Sequence, residues 1–394
     1  MTNKKRVAAL LAAILLLFCM WTPAFAAADP GTVFKNVIFM IGDGMGENHL
    51  ALAREHGVDL FMDTACDLRG QSQTRSFNNK VTDSAAGATA LSCGVRVNNS
   101  ALCVYPIDPN GLFFRPRIIT ENAIAHGMRA GIVTTDRTTG ATPAGFSVHV
   151  KKRSMTDEIT AAQLAGDLDL IWGAPAETDA RLAAAEQGWT YIENEADMNA
   201  LTPGGRSFGQ FPGDSWRMNP GAGVPTLAEM SEKAIALLNA SNENGFFLMI
   251  EGAHIDKNSH RTEDGKTDFP AKVNDTVEAM RGFDAAIRVA VEFARRDGHT
   301  LVVVTADHET GDLYEENGRY TFHSGSHTGK NVPLLVYGAD DLFKPGEAVK
   351  NSSIPGRVAA KLGWDRAELP HVDSGSFWEK LRVFFRLPAV KRAA

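Results

Sequence analysis

NVIFMIGDGMG, residues 36 to 46, places an almost wholly apolar run directly before an acidic, glycine-rich turn. A strand with one face in water alternates apolar and polar residues; this one does not, so both of its faces are covered. The same pattern recurs in AGIVTTD (130–136), DLDLIWG (167–173), GFFLMIEGA (245–253), HTLVVVTADHE (299–309) and VPLLVYG (332–338). Between these runs lie segments with helical spacing, among them ENHLALAREHG (47–57) and a long stretch from about Ala271 to Arg296 in which Met280, Phe283, Ile287 and Val291 share a face. Buried strands alternating with helices predict an α/β fold with a largely parallel central sheet and helices on both faces. Several runs end in an acid: Asp43, Asp136, Glu251 and Asp307. In such sheets ligands bind outside the carboxyl ends of the strands, so these acids are expected to gather there.

The chain of 394 residues is 44% hydrophobic and 22% charged, enough for a large core and unlike a disordered polymer. Residues 1–26 read as a signal peptide, with a basic start MTNKKR, an apolar run VAALLAAILLLFCM and an A-x-A-type end at Ala26. The apolar run is short for a spanning helix, so an exported, periplasmic or secreted protein without a stable membrane span is expected. Removing Lys4, Lys5 and Arg6 takes the formal charge from −7 to −10, which argues against a nucleic-acid partner. Residues 27–394 read as a single catalytic domain, with a loop-rich insertion near 182–224 where periodicity weakens and Gly and Pro accumulate. Three cysteines remain, Cys66, Cys93 and Cys103; a Cys93–Cys103 bridge would close a short loop, and no spacing suggests a sulfur-ligated metal.

Each candidate site residue has an ordinary alternative. In KVTDSAAGATALSCG (80–94), Ser84 heads a run of small residues and is either a helix cap or a group placed against a ligand. Asp43 alone is a good turn-former, and Glu251 or Asp307 alone is a good cap. Their neighbours add chemistry. TADHET sets Asp307 beside His308, EGAHIDKNSH places Asp256 four residues before His260, one helical turn apart, and HSGSHTG supplies His323 and His327. Histidines and carboxylates without cysteine suit zinc in an open, catalytic site, whereas carboxylate with hydroxyl suits magnesium.

VIFMIGDGMG, VTDSAAGATA, ATPAGFSVHVKKR, MIEGAHIDKNSH, VTADHE and SHTG resemble, in the same order, the motifs of alkaline phosphatases. The resemblance runs from about Asn36 to Gly338. It implies hydrolysis of small phosphate monoesters through a phosphoserine on Ser84. It also implies one zinc on Asp256, His260 and His327, and a second on Asp43, Asp307 and His308 with Ser84 as a further ligand. A magnesium would share Asp43 and use Thr142 and Glu251. Arg153 falls on the arginine that clamps phosphate, and Lys257 on a lysine that some bacterial members place near the phosphate. A guanidinium fork can grip two phosphate oxygens at once. Members are often dimers, so a homodimer is an expectation of the same kind.

One departure stands out. Gly140 occupies a position where some bacterial members have Asp and animal ones His, beside the magnesium, and glycine offers no side chain there. The span from His308 to His327 is also too short for the inserted surface domain of animal members. Sister phosphodiesterases and sulfatases typically use Thr or a modified Cys as nucleophile and lack this arginine spacing. A protein that merely binds phosphate or metal has no need of Ser84. His149 is read as a hydrogen-bonding residue on the helix after Thr142, His254 as a neighbour of the zinc ligands, His323 as loop, and Asp83 as a residue that orients the serine turn or Arg153. The basic, amphipathic segment FWEKLRVFFRLPAVKR (377–392) is read as a docked terminal helix rather than a membrane contact.

Overall fold

The computed structural model describes residues 33–106, 113–240, 243–365 and 369. The expected signal peptide and the segment 377–392 lie outside the described residues. Ten strands form the main sheet: β1 (Asn36–Gly42), β2 (Leu68–Gln73), β3 (Arg129–Arg137), β4 (Leu170–Ala174), β5 (Thr190–Ile192), β6 (Ser207–Gln210), β7 (Phe246–Gly252), β8 (Thr300–Thr305), β9 (Val332–Tyr337) and β10 (Ala348–Lys350). Their spatial order is β10-β2-β9-β8-β1-β7-β3-β4-β6-β5. All pairings are parallel except those of β9, which runs against both β8 and β2. The expected α/β architecture is therefore present, with one reversed strand.

Both faces of the sheet are covered, as the unbroken apolar runs require. On β1, Ile38 and Met40 enter one core with Leu248 and Ile250 of β7. Val37, Phe39 and Ile41 enter the opposite core with Phe247 and Met249. The first core is closed by helices α1 (Glu47–Glu55), α4 (Leu227–Asn239) and α6 (Pro270–Asp297), and α6 matches the long helix expected over Ala271 to Arg296. The second core packs against α2 (Ser84–Cys93) and α7 (Ile354–Lys361). Two shorter helices, α3 (Ala141–Gly145) and α5 (His254–Ser259), begin just beyond the ends of β3 and β7.

Two expectations need correction. The segment near 182–224, expected to be loop-rich, contributes β5 and β6, the last two strands at one edge of the sheet, and short helices at Arg181–Glu186 and Glu195–Ala200. Strands of three and four residues are too short to show a period. His149 is not helical, because α3 ends at Gly145 and Val150 exchanges backbone hydrogen bonds of 3.0 Å with Leu102. Its ring contacts the Cys103 carbonyl and the Glu121 carboxylate, each at 2.9 Å, as a hydrogen-bonding residue would.

Candidate metal centre

Register places the acids. Ile41 of β1 and Thr134 of β3 flank Glu251 of β7, and Asp43 follows β1 with its N–H on the Gly252 carbonyl at 3.2 Å. Asp307 and His308 follow β8, the neighbour of β1 on its other side. α5 carries Asp256 and ends on His260. His327 arrives from a distant loop because it pairs with Thr310 in a short antiparallel ladder. Gly44 has φ +74°, and a Cβ there would lie 2.8 Å from Asp256 and Thr310, so only glycine lets β1 turn this close to α5.

Three oxygens converge on a single nitrogen. His308 Nε2 lies 3.2 Å from Ser84 Oγ, 3.2 Å from Asp307 Oδ2 and 3.5 Å from Asp43 Oδ1. A serine–histidine–acid relay needs the acid on the other ring nitrogen. That nitrogen, Nδ1, instead faces Thr310 Oγ1 at 3.2 Å. Asp43, Asp307 and His308 have ligand atoms within 4.8 Å of one another, as do Asp256, His308 and His327, so the two clusters adjoin through His308.

The second cluster makes the same point through tautomers. His260 Nδ1 donates to the Gly325 carbonyl at 2.7 Å and His327 Nδ1 to the Thr82 carbonyl at 3.0 Å. Those bonds leave both Nε2 atoms with lone pairs in the neutral rings, yet the two lie 2.9 Å apart, with Asp256 Oδ1 at 3.2 and 3.6 Å. Facing lone pairs beside a carboxylate fit a cation between them. The expected ligands Asp256, His260 and His327 are thus brought together.

Burial shows what is missing from the protein alone. Asp43 Oδ1, Asp307 Oδ2, Glu251 Oε1 and Thr142 Oγ1 are buried without a hydrogen-bond partner, and all four belong to the expected ligand set. Burial, then Asp307, Asp256 and Glu251, push Asp43 well above the usual carboxylate range. Burial and Asp256 push Asp307 up to about 7. Burial and Asp136 push Glu251 up to about 8, against the opposing pull of the Thr134 hydroxyl. Asp256 is buried too, but His260, His308 and His327 hold it well below the usual range. A cluster of acids that resist ionising is a place where divalent cations are favoured. The residues fit divalent metal ions.

Ser84 is the first residue of α2 but not its cap. Asp83 caps the helix, accepting from Ala86 N at 3.0 Å, and its other oxygen accepts from Ser100 N at 2.9 Å and lies 3.6 Å from Arg153. Asp83 therefore orients both the serine turn and the arginine. Every residue of α2 is buried, and its small side chains allow that: a Cβ on Gly87 would sit 2.9 Å from Asp307 Cβ. Lys257 forms an ion pair with Asp136. His254 stacks on Trp216 with ring centroids 5.0 Å apart and touches Thr135. His323 stacks on Tyr314, away from the ligands. Cys93 and Cys103 are free thiols on either side of Ser92 Oγ, and Cys66 is also free. Thr310, which hydrogen-bonds Asp256 and reaches His308, was missed; its one signal was a hydroxyl three residues after Asp307.

A sequence profile of the alkaline phosphatase family matches residues 34–172 and 176–354. The chain belongs to the alkaline phosphatase family. It is 33% identical over 348 residues to the alkaline phosphatase of Escherichia coli K12, covering 70% of each chain. It is 34% identical over 355 residues to the repressible alkaline phosphatase of Saccharomyces cerevisiae, covering 76% of this chain and 59% of that one. Its fold superposes on the alkaline phosphatase of the Antarctic bacterium TAB5 with a TM-score of 0.71 at 29% identity, over 85% of this chain and 99% of that one. A histidine-to-aspartate variant of the TAB5 enzyme has magnesium bound in the site called M3. The chain is a metal-dependent alkaline phosphatase, an enzyme that hydrolyses phosphate monoesters. Among the described residues no helix is long and apolar enough to cross a membrane.

Proposed function

We propose that this phosphatase works through a phosphoserine on Ser84, with zinc on Asp256, His260 and His327, a second zinc on Asp43, Asp307 and His308, and magnesium on Asp43, Thr142 and Glu251. The observation that carries the reading is the convergence of Ser84 Oγ, Asp43 Oδ1 and Asp307 Oδ2 on His308 Nε2, which suits a shared cation and not a histidine relay. Bound zinc supplies positive charge that lowers the pKa of a neighbouring hydroxyl and stabilises both the attacking and the departing oxygen of an in-line displacement. Ser84 Oγ then gives its proton to solvent water and forms a bond to phosphorus while the ester P–O bond breaks and the departing oxygen takes a proton from solvent to leave as the alcohol. Water attacks the phosphoserine in turn, Ser84 Oγ departs and takes a proton, and inorganic phosphate is released with retention at phosphorus.

The residues around Ser84 serve this sequence. Arg153, held beside Asp83, offers a planar fork to two phosphate oxygens. The start of α2 adds backbone N–H groups and the positive end of the helix dipole. Lys257 adds charge on the side of Asp136. The pattern of residues 1–26 fits export to the periplasm or the medium, and the family resemblance implies a homodimer.

Acid-quenched turnover of a chromogenic phosphate monoester, followed by mass spectrometry of the peptides, tests the covalent step. Phosphate is expected on the Ser84 peptide. Ser84→Ala should cut turnover by on the order of 10³-fold or more at unchanged zinc content. Phosphate on another residue, or near-normal turnover by the zinc-loaded variant, would sink the assignment.

A further inference from the structure

Gly140 lacks the side chain that would stand next to the magnesium ligands, yet the space is not vacant. A Cβ built on Gly140 would lie 2.3 Å from Asp136 Oδ2 and 2.7 Å from Asp136 Cγ. Asp136 therefore fills, from four residues upstream, the volume where any side chain at 140 would begin. The carboxylate is fixed there from several directions. Its own N–H is held by Thr134 Oγ1 at 2.8 Å, and Oδ1 accepts from Arg137 N at 2.7 Å and pairs with Lys257. Oδ2 is left turned toward Gly140, the residue from which α3 starts and delivers Thr142.

The backbone of Asp136 is tied to one of the orphaned ligands through Thr134, whose hydroxyl accepts from Asp136 N–H and donates to Glu251. Thr134, two residues before Asp136, is in register with Glu251 and hydrogen-bonds it. Thr142 Oγ1 and Glu251 Oε1 are fully buried and unpartnered. The pairing of Asp136 with Lys257 explains how a further acid is tolerated near Glu251: the ammonium compensates one charge, and Oδ2 is the oxygen left to accept.

We propose that Asp136, anchored by Lys257, is the positioning carboxylate of the cation site formed by Asp43, Thr142 and Glu251, and that it does from position 136 what Gly140 cannot. A magnesium ion keeps several of its waters, and those waters need acceptors beyond the direct ligands. Asp136 Oδ2 is such an acceptor, and groups in this role typically change metal affinity by about 10- to 100-fold. The inference rests on the magnesium assignment above, and Asp136 takes no part in the chemistry at Ser84.

Calorimetric titration of magnesium into the zinc-loaded protein, without substrate, tests it. Asp136→Asn should weaken magnesium binding by roughly 10- to 100-fold while zinc content stays at the wild-type level. Wild-type affinity in D136N overturns the proposal. So does loss of zinc together with magnesium, which would make Asp136 a support of the fold. Wild-type protein that turns over a monoester but takes up no magnesium would overturn this inference and leave the phosphoserine reading standing. Magnesium binding that follows these expectations without turnover would do the reverse.

Discussion

Arg153 is partly exposed, and its guanidinium lies 3.6 Å from the same carboxylate that caps the serine helix. Asp83 thus couples two tasks: it fixes the turn that presents Ser84 and restrains the guanidinium proposed to receive the phosphate oxygens. A carboxylate shared in this way leaves the guanidinium fork oriented before substrate arrives, which reduces the ordering cost of binding. Arg153→Ala should lower kcat/KM for a phosphate monoester by roughly 10- to 100-fold, the size of a charge-assisted, two-pronged contact. Arg153→Lys should recover little of that loss, because an ammonium restores charge but not the planar fork. Steady-state kinetics of the two variants check this; full recovery by lysine would show that charge alone matters at this position.

α2 is an unusual helix because all ten of its residues are buried, and its composition follows from what it touches. Gly87 lies against Asp307, and Ala88 lies so close to Gly145 that a Cβ on the latter would come within 2.8 Å. In an exposed helix, replacing glycine by alanine stabilises by about 1 kcal/mol. Here the new methyl would press on Cβ of Asp307, a proposed metal ligand, which cannot swing away as the tip of a long side chain could. Gly87→Ala should therefore be destabilising, by about 1–3 kcal/mol, and should lower zinc content. A denaturant midpoint with metal analysis decides; a more stable variant with full zinc would show that Asp307 moves freely. The same scale explains what the sequence made legible. Strands buried on both faces announced themselves as apolar runs, and acids at their ends marked the site. β2, LRGQSQ, did not, because it lies between the reversed β9 and the short β10, and most of its side chains are partly exposed. Asp136 was visible as a strand-end acid, but no pattern in the chain says that its carboxylate folds back over a glycine four residues on.

Across the whole molecule, the fold gathers Asp43, Glu251 and Asp307 at the carboxyl ends of three adjacent strands and removes them from water. Their ionisation is displaced upward, to about 8 for Glu251 and about 7 for Asp307, from ordinary values near 4 in an unfolded chain. A carboxyl whose folded pKa is raised contributes stability that is complete below the unfolded value and is lost as pH climbs through the folded one. The useful window runs from about pH 6.5 to 8. Below it, buried His49 and His254, each lowered by burial to about 3, act in the opposite sense until they are neutral in both states. Above it, Lys272, lowered by burial to about 8, begins to favour the folded form. Within the window His149, raised to about 8 by Glu121 despite burial, adds to the loss. Metal binding reverses the balance, since ligands must be deprotonated and protons compete less as pH rises. The chelated protein should therefore melt at progressively lower temperature from pH 6.5 to 8, while the gap between metal-loaded and chelated protein widens over the same range. Differential scanning calorimetry with and without chelator measures both slopes. A chelated protein that gains stability over this window, or a gap that stays constant, would mean that the three carboxylates are already ionised without metal and that other charges balance them.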